Sequence, residues 1–327
     1  MNVPASGSIA SLRRAAPEAA PPEAVSVAVE HAALLGESPF WHPQEQVLYY
    51  CDIPGRRLHR FDPASGHLDG WAFDTDVACA VPNAAGGLVL ALRDGVWQFD
   101  PATGAARLCV PAPYDPTHQR FNDGKCDPAG RLWCGTLDET RQPLAALFCL
   151  DLDGRLTARA EGCTTSNGLA WSPDARTLYW ADTRAHTVYA FDADPDTGHI
   201  GERRVFAQFP ARAQGQPLDD YLGRPDGAAV DAEGHYWVAM FEGSRVLRLS
   251  PEGRVVQEIL LPVRCPTMPC FGGADLRTLY ITTAREKRPA DELARQPWAG
   301  CVLQVQVEVP GLPTHAFRGV LVPPAGD

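Results

Sequence analysis

Four side chains with oxygen donors stand in short, glycine-containing contexts: Glu37 in GESPF, Asn122 in RFNDGK, Asn167 in SNGLAW and Asp226 in PDGAAV. Carboxylates and amide carbonyls that converge on one point make a site for a hard divalent cation. The carboxylates supply charge and the amides supply neutral oxygen. Neither a CxxC pair nor an HExxH stretch occurs, so ligand hardness favours Ca²⁺, Mg²⁺ or Mn²⁺, with Zn²⁺ or Fe²⁺ also able to take oxygen ligands. Without a cation, Glu37 and Asp226 would repel in a partly dry setting, and one pKa would rise. Arg120 and Asp123 crowd beside Asn122, and three polar groups next to a buried strand are costly unless each has a partner. Taken singly, the Asn and Asp residues are ordinary turn formers, Glu37 is a loop residue and Arg120 a surface or ion-paired arginine. Asp123 reads as an Asx-type loop brace.

A repeat is what would gather these residues. Six times the chain gives a turn, a short apolar strand and a polar interruption, often with a further strand running into another turn. The copies include VLYYCDIPGRRLHRFDPASG, LVLALRDGVWQFDPATG and LYWADTRAHTVYAFDADPDTG. β-Branched and aromatic residues fill the strands, and DPASG, DPATG and DPDTG close hairpins. Strand starts at Leu48, Leu88, Leu132, Leu178, Tyr236 and Leu279 are spaced by 40, 44, 46, 58 and 43 residues. That is close to the ~40–50 residues of a four-stranded propeller blade. The expected fold is therefore all-β, a six-bladed β-propeller with a divalent metal in its central channel. A sandwich or barrel also has many hairpins, but it does not need one period repeated six times. Ten or eleven residues before these starts lie Glu37, Val77, Asn122, Asn167, Asp226 and Met268, with Thr267 adjacent. Equal offsets in a propeller are equal places around the axis, so the four oxygen-bearing residues are expected to face one another at one mouth of the channel.

Bulk properties agree. Gly at 29 and Pro at 30 residues together exceed the usual combined ~12% and imply many turns. A net charge of −11 argues against a nucleic-acid or anionic-membrane partner. No apolar run reaches the ~18 residues of a membrane helix. The stretch MNVPASGSIASLRRAAPEAAPPEA lacks the apolar centre of a secretory signal and is expected to be a disordered tail over 1–24, followed by a single domain over 25–327. The ten cysteines are spread evenly and several fall inside apolar strands, which reads as buried free thiols in a reducing cytoplasm. Rossmann, P-loop and nucleophile-elbow motifs are missing.

GESPFWHP around Glu37, RFNDGKCDPAGRLWCGT around Asn122, SNGLAWSPDARTLYWADT around Asn167 and PDGAAVDAEGHYWVA around Asp226 together resemble the SMP-30/gluconolactonase/regucalcin family. The resemblance runs from about residue 25 to the end and includes TTAREKRPADELARQPWAG, similar to the family's last-blade insertion. It implies a six-bladed propeller with one divalent metal in the channel and hydrolysis of a sugar lactone, a small-molecule substrate. It further implies Glu37, Asn167 and Asp226 as metal ligands, Asp226 also as the acid/base residue, and Arg120 and Asn122 as substrate-binding residues. The family's further substrate-binding Glu follows a GT pair. Here GTLDET places Glu139 one residue short of the matching column, which Thr140 occupies, so either a one-residue shift restores Glu139 or the contact is lost.

Such a site could polarise a cyclic ester while Asp226 moves the proton. Two alternatives use the same frame: another metal-dependent ester or phosphotriester hydrolase, or a non-enzymatic propeller that binds metal or sugar. Loops 211–225 and 285–300 are expected to set substrate choice. Trp41, Tyr221 and Trp298 could wall a sugar site, although each residue type is more often packing. The early segment VSVAVEHA is expected to close the ring beside the last blade.

Overall fold

The computed structural model describes residues 25–322; the tail expected over 1–24 lies outside them. Short strands alternate with tight turns because β-branched and aromatic runs are interrupted every few residues by Gly, Pro or Asp. After β1 (Ser26–Val29), the first blade is β2 (Gly36–His42), β3 (Val47–Asp52), β4 (Arg57–Asp62) and β5 (His67–Ala72). The second is β6 (Val77–Pro82), β7 (Leu88–Leu92), β8 (Gly95–Asp100) and β9 (Ala105–Pro111). The third is β10 (Gln119–Cys126), β11 (Leu132–Asp138), β12 (Ala145–Leu150) and β13 (Leu156–Cys163). The fourth is β14 (Ser166–Trp171), β15 (Thr177–Asp182), β16 (Thr187–Asp192) and β17 (Arg204–Gln208). The fifth is β18 (Arg224–Val230), β19 (Tyr236–Phe241), β20 (Arg245–Leu249) and β21 (Val255–Leu260). The sixth runs through β22 (Pro266–Gly272), β23 (Thr278–Thr283) and β24 (Val302–Gln306), with β1 as its outermost strand.

Each blade is an antiparallel four-stranded sheet, and the six together are the propeller that the repeat predicts. The expected strand starts are the second strands of the blades, each within one residue of its observed start. The early segment closes the ring as expected: β1 pairs antiparallel with β24, with Ser26 opposite Gln304. The DPASG and DPATG turns join the third and fourth strands of blades 1 and 2. In the first, Asp62 accepts the Ala64 N–H at 2.9 Å and the Ser65 hydroxyl at 2.6 Å, and Gly66 takes φ +74°. In the second, Asp100 and Gly104 repeat the arrangement.

Between neighbouring blades lie apolar layers such as Tyr49, Leu58, Leu90 and Phe99, or Tyr179, Val188, Tyr236 and Leu249. These are the faces that each sheet must bury, and they leave the inner strands β2, β6, β10, β14, β18 and β22 around the axis. In blades 1 and 4 a shared element also ties the inner strand to its own blade. Asp52, at the end of β3, accepts the Leu34 and Leu35 N–H groups at 3.0 and 3.1 Å. Asp182, at the end of β15, accepts those of Thr164 and Thr165 at 3.1 and 3.3 Å. A buried carboxylate thus satisfies backbone donors at the point where the chain turns into the channel.

Candidate functional site

All six inner strands break register with their second strand at the same depth: between Glu37 and Phe40, Val77 and Cys79, Phe121 and Gly124, Asn167 and Ala170, Pro225 and Ala228, and Pro266 and Met268. A bulge adds an unpaired residue and re-aims its side chain. Glu37, Asn122, Asn167 and Asp226 stand at or within four of these bulges. Val77 and Thr267 hold the other two, and Thr267 is spent on structure, donating to the Gly36 carbonyl and the Thr282 hydroxyl. Arg120 to Asp123 belong to strand β10, not to a loop.

A cleft of about 600 Å³ opens at this level, lined by Glu37, Arg120, Asn122, Glu139, Asn167 and Asp226. Its size suits a small ligand. One hydrogen-bonded chain crosses three blades. Arg120 donates to the Phe121 carbonyl at 2.9 Å and to Asn122 Oδ1 at 2.7 Å. Asn122 Nδ2 donates to the Ser166 carbonyl at 2.9 Å and to Asn167 Oδ1 at 2.8 Å. Asn167 Nδ2 donates to the Thr183 hydroxyl at 2.8 Å and, at close range, to an Asp226 carboxylate oxygen. The close approach of blades 4 and 5 depends on Gly168: its φ is +62°, and a Cβ there would meet the Tyr236 hydroxyl at 2.3 Å and the Asp226 carbonyl at 3.0 Å.

Glu37 joins from blade 1. Only 3% exposed, it accepts the Ser38 N–H at 2.9 Å, with Ser38 turned to φ 46°. Burial raises the Glu37 carboxyl well above its ordinary value, and the charges of Asp226 and Asp123 add to the effect. Burial pushes Asp226 up to about 7; Arg224 pulls against this and Asp123 adds to it. Two buried carboxylates, each with a raised proton affinity and with no Lys or Arg in ion-pair contact among the described residues, fit the charge requirement of a dication. Asn167 turns Nδ2 toward Asp226 and Oδ1 toward Asn122, and that oxygen keeps a second lone pair beyond the Asn122 bond. Among the described residues no cluster of three His, Cys, Asp or Glu side chains exists, so a cation here would need amide oxygen as well as the two carboxylates.

Glu139 lines the cleft and is held by Arg93, with Nη2 to Oε1 at 2.7 Å; Arg93 also grips Asp76 at 2.7 Å. Thr140 instead donates to Asp138 at 2.6 Å and does not line the cleft. Glu139, and not Thr140, is thus the side chain at the rim. Asp123 is not the Asx-type loop brace expected: it lies in β10 and braces blade 3 against blade 4, its Oδ2 accepting the Leu169 N–H at 2.8 Å. Trp41 stacks on Tyr280 at 6.0 Å, and the Tyr221 hydroxyl bonds His186 Nε2 at 2.6 Å. Neither they nor Trp298 lines the cleft; Phe241 is its aromatic wall. Of the expected specificity loops, 285–300 contributes Glu286, Lys287 and Arg288, whereas 211–225 contributes only Arg224.

Sequence reasoning missed Thr183, Arg141, Arg184 and Glu242, all of which line the cleft. They follow the second strands, where the single offset used for the inner strands did not look; the ADT after LYW was the available signal for Thr183. Farther down the channel, a separate cavity of about 280 Å³ is lined by the continuations of the same inner strands, among them Phe40, Val81, Lys125 and Phe271, and by Leu312–His315. It is mainly apolar, and the Lys125 ammonium there is bonded to the Ala228 carbonyl. The convergent polar groups mark the upper cleft as the candidate site.

Comparison with known proteins places these features among relatives. The SMP-30/Gluconolactonase/LRE-like region matches residues 35–285. A 6-deoxy-6-sulfogluconolactonase from Pseudomonas putida is 44% identical over 91% of this chain and 99% of its own. Regucalcin from Danio rerio is 37% identical over 87% of this chain and 95% of its own. Among solved structures, a calcium-binding protein, regucalcin, from Agrobacterium tumefaciens superposes with a TM-score of 0.83 at 28% identity, covering 89% of this chain and 96% of that one.

Proposed function

The chain belongs to the SMP-30/gluconolactonase/LRE-like family, and on that premise we propose that it is a divalent-metal-dependent hydrolase that opens a sugar lactone to the aldonic acid. The observation that carries this reading is the pair of buried carboxylates, Glu37 and Asp226, joined through Asn167 to Asn122 and Arg120 at the floor of a ligand-sized cleft. Names of the relatives, which specify sugar lactones and calcium binding, support it.

Glu37, Asn167 and Asp226 are the residues that would hold the metal. A dication bound by them supplies a Lewis acid for the lactone carbonyl and its developing oxyanion. Asp226 acts as acid/base: it takes a proton from the attacking water as the C–OH bond forms, then returns it to the ring oxygen as the C–O bond breaks. Burial raises its proton affinity toward neutrality, which suits a group that must both take and give a proton. Asn167, donating to Asp226, fixes which carboxylate oxygen is free for that exchange. Arg120 spends one nitrogen on Phe121 and Asn122; its other N–H groups have no acceptor among the described residues and are available to lactone hydroxyls. Asn122 orients Arg120, and Glu139 offers an acceptor at the rim.

The test pairs metal analysis of the purified protein with hydrolysis of δ-gluconolactone measured above its spontaneous rate. Turnover is expected to vanish on complete removal of the metal by EDTA and to return on adding a divalent ion. Full activity in metal-free protein would refute the Lewis-acid role. Tight metal binding without turnover on any lactone would refute the enzyme reading.

A further inference from the structure

One side of the cleft carries more positive charge than the site chemistry uses. Arg141 stands on the β11–β12 loop, Arg184 on the β15–β16 turn and Arg224 at the start of β18, so blades 3, 4 and 5 each present one guanidinium to the same cleft. They are near enough to feel one another: after burial, the charges of Arg141 and Arg224 are what lower the Arg184 pKa. Arg224 is neutralised by Glu242 at 2.5 Å, and that carboxylate also serves Arg288 at 2.9 Å. Arg141 and Arg184 have no carboxylate in ion-pair contact among the described residues. Their backbones are nevertheless held. Asp138 accepts the Thr140 hydroxyl and the Gln142 N–H, both at 2.6 Å, fixing the loop in which Arg141 takes φ 67°. Asp182 accepts the Arg184 N–H at 3.2 Å.

Like charges gathered on braced turns, in a chain of net charge −11, repel unless something anionic lies between them. Guanidinium forks match tetrahedral oxyanions, donating paired hydrogen bonds to two oxygens at once. We propose that Arg141 and Arg184, with Arg224 beside them, bind a strongly anionic substituent of the substrate: a sulfonate or phosphate ester at the end of the sugar lactone away from its carbonyl. The rest of the substrate is taken from the lactonase reading; the anion site itself does not depend on it. Arg224 is two residues from Asp226, which sets the charged end of the substrate beside the reacting end within one cleft.

The experiment measures kcat/KM for δ-gluconolactone, its 6-phosphate and its 6-deoxy-6-sulfonate with metal-replete protein, in the parent and in Arg141→Gln/Arg184→Gln. A charged lactone is expected to be preferred over the neutral one at least about tenfold. That preference should fall about 10–100-fold in the double variant and erode in 0.5 M salt. Arg141→Gln alone, on an exposed loop, provides a second variant whose preference should fall part of the way. The larger of the two preferences distinguishes sulfonate from phosphate. Calorimetric binding of 6-phosphogluconate against gluconate reads the anion site without turnover. Tighter binding of the phosphorylated acid, lost in the variants, supports the site even if no lactone is hydrolysed, in which case the lactonase reading alone has failed. Equal binding of the two acids, or a charge preference unmoved by both variants, overturns the proposal.

Discussion

Asp226 is under two opposing influences. Burial favours its neutral form, and the nearby Arg224 favours its charged form; burial is the larger, leaving the group at about 7. For a carboxyl raised in this way the sign is clear. The unfolded chain ionises near its ordinary ~3.9, so the folded protein without metal loses stability as pH rises from about 4 to about 7. Asp226→Asn removes that charge. It is expected to lower lactone turnover by about 10²–10⁴-fold, the value of a general base. In chelator at pH 8 the same variant should melt above the parent, and the rise in Tm that a divalent ion gives the parent should shrink. Loss of turnover with an unchanged metal response would keep Asp226 as a base and remove it from the ligand set. Full turnover would remove it from the chemistry.

At the level of the element, bulges turn a repeat into a site. A regular inner strand would alternate its side chains between neighbouring blades. The register breaks at Glu37, Asn122, Asn167 and Asp226 instead place four side chains at one level. In blades 1 and 4 the aspartates at the ends of the second strands hold the approach to those bulges. Asp182 alone receives the N–H groups of Thr164, Thr165 and Arg184, the first two just ahead of Asn167. Replacing it by Asn leaves one acceptor oxygen where there were two. Asp182→Asn is expected to cost about 1–3 kcal/mol in chemical denaturation and to weaken lactone turnover through Asn167, while Asp174→Asn, at an exposed turn of the same blade, costs much less. Equal effects of the two would show that the bracket at Asp182 does not support the site.

On the scale of the molecule, the site exists only while the ring is closed, because Glu37 comes from the first blade and Asn167 and Asp226 from the fourth and fifth. Closure is made by β1 against β24, with Val25 and Val29 buried in two of the core layers between blades. A chain beginning at Glu30 is expected to melt roughly 5–10 °C lower, given ~2–4 °C per kcal/mol for domains of somewhat smaller size. It should also lose its stabilisation by divalent ions before it loses its β-sheet signal. A truncated chain with unchanged Tm would mean that the ring does not depend on this strand for closure.

The six-bladed plan was legible in the sequence because each blade repeats the same compromise of alternating apolar strands and obligatory turns, and that compromise recurs at a nearly constant period. The radial offset then picked out Glu37, Asn122, Asn167 and Asp226, since residues equivalent along a repeat are equivalent around its axis. What lay off that offset could not be read. Thr183, Arg141 and Arg184 follow the second strands, and their nearness depends on how far each turn leans over the channel. Glu139 and Thr140 are adjacent in sequence and similar in polarity, yet Arg93, forty-six residues away, draws one to the rim while Asp138 keeps the other. Local pattern sets which residues become strand or turn. Only the packing of blade against blade decides which polar side chains meet, because that depends on contacts made across the ring.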